Sequence, residues 1–362
     1  MTSSPSTTEE VAEVVRSSRR LHFVGGGTKR CLPGGAEAPL CHRLSLRKVE
    51  GVIEYEPGEY VFSARAGTPI STIRKMLEDH GQYLPFDPPF VDEGSTLGGM
   101  VASGLNGPGR LRYGGIRDFL IGLTFVNGEG RILRGGGKVV KNAAGFDLPK
   151  FLVGSLGNYG VFTQLTFKVF PKPETFATVR FECDSLAVGL EVSTKIIRSR
   201  LEPDAVELLE SGCTLARFGG TNAAIPRRAQ RVLKEIGVKG KVLEEEEAEK
   251  FWREAAAFGW SEQGAALLKV PVTPDRILAL DGFCEEAGSA RRYGSAGNIC
   301  WLSWPEGEPT ERLDDGIRNL GLNGLAFGGG LARVRYGSWT RSEAMEAVRK
   351  VFDPENKFGT EA

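Results

Sequence analysis

The residues of this sequence whose types and spacing could do chemistry sit in glycine-rich loops. The first is Gly25-Gly26-Gly27-Thr28-Lys29, directly after the strand-like run Leu21 to Val24. Consecutive glycines let successive N–H groups turn to one side as an anion-binding nest, and Lys29 adds a charge. The spacing is neither the G-x-x-x-x-G-K-[ST] of a phosphate-binding P-loop nor a dinucleotide fingerprint opening a long helix. On its own this loop reads equally well as a turn without a ligand. The second loop, Gly94-Ser95-Thr96-Leu97-Gly98-Gly99, has the same character and adds two hydroxyls. Met100-Val101-Ala102-Ser103-Gly104 follows it, narrow enough for a flat ring system to lie against backbone. A diphosphate needs many donors at fixed positions, and two loops converging from distant parts of a chain supply them. The alternative is a set of glycine turns in a β-rich domain.

The elements that must position these loops are legible in the hydrophobic pattern. Glu9 to Arg19 reads as a short helix, with Val11, Val14 and Val15 at helical spacing. Val49 to Tyr55 and Tyr60 to Ala66 read as an antiparallel pair around Glu56-Pro57-Gly58-Glu59. Thr68-Pro69 predicts a helix start with the hydroxyl as cap, its apolar face being Ile70, Ile73, Met76 and Leu77. Leu120 to Val126 and Arg131 to Arg134 form a second strand pair. Phe146 to Val153 fits a short helix, and the alternation from Val161 to Phe170 predicts a half-buried strand. Pro171-Lys172-Pro173 ends it and marks a domain boundary.

Beyond Thr178 glycines thin out and strand and helix patterns alternate. The run Glu244 to Glu247 reads as a solvated face leading into a helix with Phe251 and Trp252. Thr340-Arg341-Ser342-Glu343 matches a capping box opening a last helix whose apolar side is Met345, Val348 and Val351. The division expected is 1–177, 178–339 and 340–362, the last segment returning to the first domain. Trp301, Trp304 and Trp339 read first as core of the middle domain, and as lining of a site second.

Composition narrows the function classes. At 362 residues the chain is long for one core and predicts two domains. Lysine plus arginine and aspartate plus glutamate both number 46, so the basic footprint of a nucleic-acid binder is missing. No apolar run approaches the ~20 residues of a membrane span. The first ten residues lack the basic and apolar regions of a signal peptide, which gives a cytoplasmic expectation. The six cysteines form no C-x-x-C pair, so no iron–sulfur cluster or metal site is expected within this chain.

The stretch from Phe23 to Pro173 resembles the FAD-binding domain of the vanillyl-alcohol oxidase, or PCMH-type, superfamily. Within it, the likeness is to the E-type FAD-binding subunits of bacterial glycolate oxidase (glycolate dehydrogenase). The segments that carry it are Gly25 to Lys29, Gly98 to Pro108, Ile116 to Gly122, Val139 to Asp147 and Val153 to Thr163, in the family's order. Phe352-Asp353-Pro354-Glu355-Asn356-Lys357-Phe358-Gly359 resembles the family's closing tail. The resemblance implies an α+β fold: a PCMH-type FAD-binding domain of two small α/β subdomains plus a shortened α+β cap domain. It implies FAD, with Gly25, Gly26, Gly27, Thr28, Lys29, Gly94, Ser95, Thr96, Gly98 and Gly99 around the diphosphate. Ser103, Gly104, Tyr113 and Gly114 would lie nearer the flavin and ribityl chain, and Gly157, Gly160 and Val161 on the adenosine side. Lys141-Asn142 and Asp147 belong to a family block, as ligand contacts or as fold-supporting charges. Arg117-Asp118 reads as a turn-fixing pair.

The departures from the family pattern also carry information. None of the three histidines, His22, His42 and His80, stands where the family bonds its flavin, so FAD should be non-covalent. The stretch from Phe327 to Arg335 lacks the histidine that related hydroxyacid dehydrogenases carry. A 2-hydroxy acid loses a hydroxyl proton and an α-hydride, so a base is expected, and none is assigned. Arg333 and Arg335 are carboxylate-clamp candidates, with a surface-strand role as the alternative. Three functions follow as expectations. The first is an FAD-dependent oxidoreductase subunit that oxidises glycolate or a similar 2-hydroxy acid to the oxo acid, glyoxylate for glycolate. The resemblance implies a D-type flavin subunit and an iron–sulfur F-type subunit as partners, through which the chain could lie peripherally at the inner membrane. The second is an FAD-binding relay or scaffold subunit without substrate chemistry. The third is a stand-alone FAD dehydrogenase for another alcohol or sugar acid.

Overall fold

The computed structural model describes residues 2–29, 41–137, 146–340 and 343–358. Lys138 to Gly145, Cys31 and the Arg341-Ser342 part of the capping box lie outside the described residues. The chain divides into two compact units. One comprises Met1–Asn106, Gly115–Lys172 and Thr340–Ala362; the other comprises Gly107–Gly114 and Pro173–Trp339. The break between Lys172 and Pro173 falls in the Pro171-Lys172-Pro173 segment marked from sequence, whereas the 177/178 division lies inside a continuous strand, Thr175–Phe181, of the second unit.

The first unit has two sheets. A small parallel one joins Thr2–Ser3, His42–Ser45 and Leu21–Val24. Helix Thr8–Ser17 lies with it, capped by Thr7, whose hydroxyl accepts from the Glu10 amide at 3.1 Å. Val11, Ala12 and Val15 of this helix share a core with Leu21, Leu44 and Phe358. The second sheet is antiparallel, in the order Val52–Glu56, Val61–Arg65, Val161–Lys168, Leu120–Val126, Ile132–Gly136. The alternation in Val161–Lys168 predicted a strand buried on one face. In fact Phe162, Thr163 and Thr166 are buried along with Val161, Leu165 and Phe167. The strand is central in its sheet, so its polar residues pair inside, as Thr166 does with Ser63 at 2.8 Å.

Helix Ile70–Glu78 forms as expected, but the Thr68 hydroxyl does not cap it; it accepts from the Gly51 amide at 2.9 Å. The last helix, Glu343–Phe352, buries none of its residues, and Met345 and Val351 are 46% and 68% exposed. Its tail is what docks. Asp353 is buried and accepts from the amides of Lys357 and Phe358 at 2.8 and 2.7 Å. The Lys357 carbonyl in turn accepts from the Leu21 amide at 2.9 Å, and Phe358 packs edge-on against Phe23. The tail thereby braces the strand that leads into the first glycine loop.

The second unit is a nine-stranded antiparallel sheet with helices. One face packs on helices Leu186–Arg198 and Ile225–Ile236 through Val206, Ala216, Phe218, Val192 and Val232. Toward the opposite face, helix Glu245–Ala257 buries Trp252, whose Nε1 donates to Thr178 Oγ1 at 2.8 Å. Its acidic start is exposed, and Glu247 pairs at the surface with Lys241 at 3.3 Å. Trp304 and Trp301 are core, whereas Trp339 is 43% exposed.

Candidate FAD cleft

Strand Leu21–Val24 delivers the first loop against the second so closely that side chains are excluded. A Cβ on Gly26 would lie 2.0 Å from the Gly94 carbonyl oxygen, and one on Gly25 would lie 2.4 Å from Thr96 Oγ1. Gly27 and Gly94 hold φ of +73° and +89°, the left-handed region that glycine enters without penalty. Arg47 grips the first loop by its carbonyls, donating to Gly25 at 3.2 Å and to Gly26 at 2.8 Å. Among the described residues, no acceptor meets the amide N–H of Gly26, Gly27 or Thr28.

The second loop behaves differently. The amides of Gly94, Ser95, Leu97 and Gly98 go to the carbonyls of Val91, Phe90, Thr68 and Ala66, and Gly99 donates to Thr96 Oγ1. It therefore contributes a wall and two hydroxyls rather than a second nest. Thr96 caps helix Leu97–Ser103, and Ser95 Oγ accepts from Lys29 Nζ at 3.1 Å.

Lys29 is the strongest electrostatic feature of the site. Its ammonium is buried, donates to the hydroxyls of Thr28 and Ser95, and sits 5.5 Å from the centre of the Phe90 ring. Burial pushes its pKa from 10.5 down to about 8, and among the described residues no acid offsets that effect. A buried cation with only neutral partners is costly unless an anion completes it.

These parts line one cleft of about 100 Å³ with Phe23, Ala102, Ser103, Leu156 and Gly157. Of the residues expected from sequence, Gly25, Gly26, Gly27, Thr28, Lys29, Thr96, Gly99, Ser103 and Gly157 meet there. Gly94 and Ser95 stand directly behind the first loop. Gly98 and Gly104 instead permit close packing on Ala66 and Gly154. Gly160 abuts Phe125 and Val161 is core, so neither lines the cleft. Tyr113 and Gly114 fall in the second unit, where the Tyr113 hydroxyl donates to the buried Asp204 at 3.1 Å. Asn106 closes the neck of that excursion: its Oδ1 accepts from the Ile116 amide at 2.7 Å and its Nδ2 donates to the Gly104 carbonyl at 3.0 Å. Asp118 accepts from the Gly115 amide at 2.8 Å, the turn-fixing role expected of it, and Asp147 caps helix Leu148–Leu152.

Arg333 is tied to Asp314 at 3.1 Å, whereas Arg335 stacks over Trp339. No histidine lines the cleft. His42 bridges Ser3 and Ser18, His80 packs edge-on against Tyr55, and His22 has its pKa lowered by burial. Arg47, Phe23 and Leu156 are site residues that sequence reasoning missed; an arginine placed by a loop carries no local signal.

An anion-accepting nest, a buried lysine without an acid and a wall of close-packed backbone fit a diphosphate. The FAD binding domain family matches residues 2–136. Over these residues the chain resembles an FAD binding domain. The FAD-binding domain also has relatives with named functions. The chain is 41% identical over 178 residues to glycolate oxidase subunit GlcE of Escherichia coli (strain K12), covering 48% of this chain and 49% of that protein. It is 29% identical over 235 residues to glycolate oxidase subunit GlcD of Bacillus subtilis (strain 168), covering 63% and 49%. A D-lactate dehydrogenase of Anaerostipes hadrus is 28% identical over 207 residues, covering 56% and 43%. In each match the chain spans about half or less of the relative's length.

Among solved structures, p-cresol methylhydroxylase superposes with a TM-score of 0.74 at 15% identity, covering 98% of this chain and 86% of that one. Alkyldihydroxyacetonephosphate synthase gives 0.72 at 15%, covering 98% and 76%. These likenesses show the α+β, PCMH-type fold. Among the described residues no helix is long and apolar enough to cross a membrane.

Proposed function

We propose that this chain is the FAD-binding subunit of an oxidoreductase that acts on the CH–OH group of glycolate or a similar 2-hydroxy acid. The observation that carries the reading is the cleft, in which loop amides without an acceptor among the described residues and the buried Lys29 face a site for an anion. The names of the relatives supply the substrate class. When bound, FAD supplies the two-electron acceptor, and the protein's part is to hold and orient it. Gly26, Gly27 and Thr28 would donate amides to the diphosphate, Lys29 would neutralise it, and Phe23 and Leu156 would exclude water. Oxidation of the acid removes the hydroxyl proton and the α-hydride, leaving the 2-oxo acid. Electrons would then pass to an iron–sulfur partner subunit, beside a second, D-type flavin subunit. Such a complex would place the chain in the cytoplasm or at the inner face of a membrane.

A second reading is an FAD-binding relay or scaffold, favoured by a cleft lining that includes no histidine. Anaerobic mixing of the purified, FAD-loaded chain with glycolate or D-lactate separates the two. Bleaching of the flavin band at a catalytic rate supports the first reading; an oxidised flavin with every 2-hydroxy acid leaves the relay.

A further inference from the structure

Two helices of this chain present outer faces whose charges match each other. Helix Glu343–Phe352 turns Phe352 toward Phe125 and Tyr159, and its Arg349 donates to the Phe358 carbonyl at 3.4 Å. With about 100° between successive residues, the opposite side holds Glu343, Ala347, Lys350 and Val351, all exposed, with Glu346 at its border. Val351 is 68% exposed, on a helix that buries none of its residues.

The other helix is Leu186–Arg198. It buries Leu186, Val192 and Ile196, and turns Leu190, Glu191, Thr194, Lys195 and Arg198 the other way at helical spacing. That side forms one wall of an open groove of about 830 Å³, whose other wall includes Pro274 and the exposed Leu278. From Ala187 to Arg198 the groove runs about 16 Å, and the ten-residue helix Glu343–Phe352 is about 15 Å long.

Laid antiparallel with Val351 over Leu190, the two helices come into register charge by charge. Glu343 then meets Arg198, Glu346 meets Lys195, Lys350 meets Glu191, and Ala347 lies on Thr194. Parallel seating would instead set Glu343 on Glu191 and Lys350 on Arg198, like charge on like. Among the described residues Glu191, Arg198, Glu343, Glu346 and Lys350 make no ion pair, and Lys195 has donors to spare beyond its bond to the Ile236 carbonyl. Exposed ion pairs contribute little singly, so the charges set the register while Val351 against Leu190 and Leu278 supplies the adhesion.

We propose that the groove beside helix Leu186–Arg198 is the seat for helix Glu343–Phe352 of a second copy of this chain. Each copy has one helix to give and one groove to offer, so reciprocal seating closes a twofold dimer and doubles the apolar area buried.

Sedimentation equilibrium of the full-length, FAD-loaded protein tests this. Wild type should show a monomer–dimer equilibrium that weakens as salt is added. Val351→Glu on the helix and Leu278→Glu in the groove alter exposed side chains, so FAD content and melting temperature should hold. Each should weaken dimerisation about hundredfold, because a change counts twice in a twofold. Arg198→Glu and Glu343→Arg should each weaken it about tenfold, and the two combined should restore it. A wild type that is monomeric at every concentration, a dimer indifferent to Leu278→Glu, or a double reversal no tighter than either single one would overturn the proposal.

Discussion

Replacing Lys29 by methionine should make the FAD-free protein more stable while it loses its hold on FAD. The ammonium is buried, and its pKa lies at about 8 instead of 10.5. Holding it charged at pH 7 therefore costs the folded state about 3 kcal/mol. Methionine keeps the apolar stem as far as Cε but loses the ammonium over Phe90 and gives up two hydrogen bonds, to Thr28 and Ser95, worth about 1 kcal/mol each. The net expectation is a gain of about 1 kcal/mol. The sign with pH follows from proton counting. Below pH 8 both folded and unfolded chains carry the proton, and the cost is fully present. Between about 8 and 10.5 the unfolded chain keeps a proton that the folded one has released, so wild-type stability rises relative to the variant and the gap closes. With FAD the order reverses, because the lost partner of a desolvated phosphate is worth at least about 2 kcal/mol, or roughly thirtyfold in Kd. Urea unfolding of apoprotein at pH 7 and pH 10, with FAD titrations beside it, measures both effects. Apo Lys29→Met that is less stable than wild type at pH 7, or that binds FAD as tightly, refutes the reasoning: Lys29 would then be compensated within the protein and not by the cofactor.

Two further outcomes are expected. Gly26→Ala places a Cβ 2.0 Å from the Gly94 carbonyl, a backbone clash with no rotamer to relieve it. It should cost about 2 kcal/mol or more of stability and release FAD, read by thermal melting and flavin content. Asp353→Ala removes the acceptor for the Lys357 and Phe358 amides and frees the tail that braces Leu21. About 1–3 kcal/mol should be lost for each amide left buried and unpaired, seen as a lower urea midpoint and as earlier proteolysis of the carboxy-terminal tail.

Sequence alone pointed to the cofactor class and to the first loop of the cleft. Gly25 to Lys29 is legible because a backbone that must approach a ligand excludes side chains, and that demand is written locally in consecutive glycines. The strands and helices of the first unit were equally local, being set by periodicity and turn residues. Three things needed the tertiary structure. The amides of Gly94, Ser95, Leu97 and Gly98 donate to the carbonyls of Val91, Phe90, Thr68 and Ala66, so a loop that reads as a nest is a wall. The centrality of Val161–Lys168, which buries both its faces, is a property of the strands beside it. Lys269 looks like an ordinary strand lysine in the sequence. Only the pairing of five strands puts it in one row with Arg292 and Arg335, with no acid acting on it among the described residues. Backbone conformation is encoded by near neighbours along the chain, whereas desolvation and uncompensated charge arise from residues far apart in it and exist only once the sheet has formed.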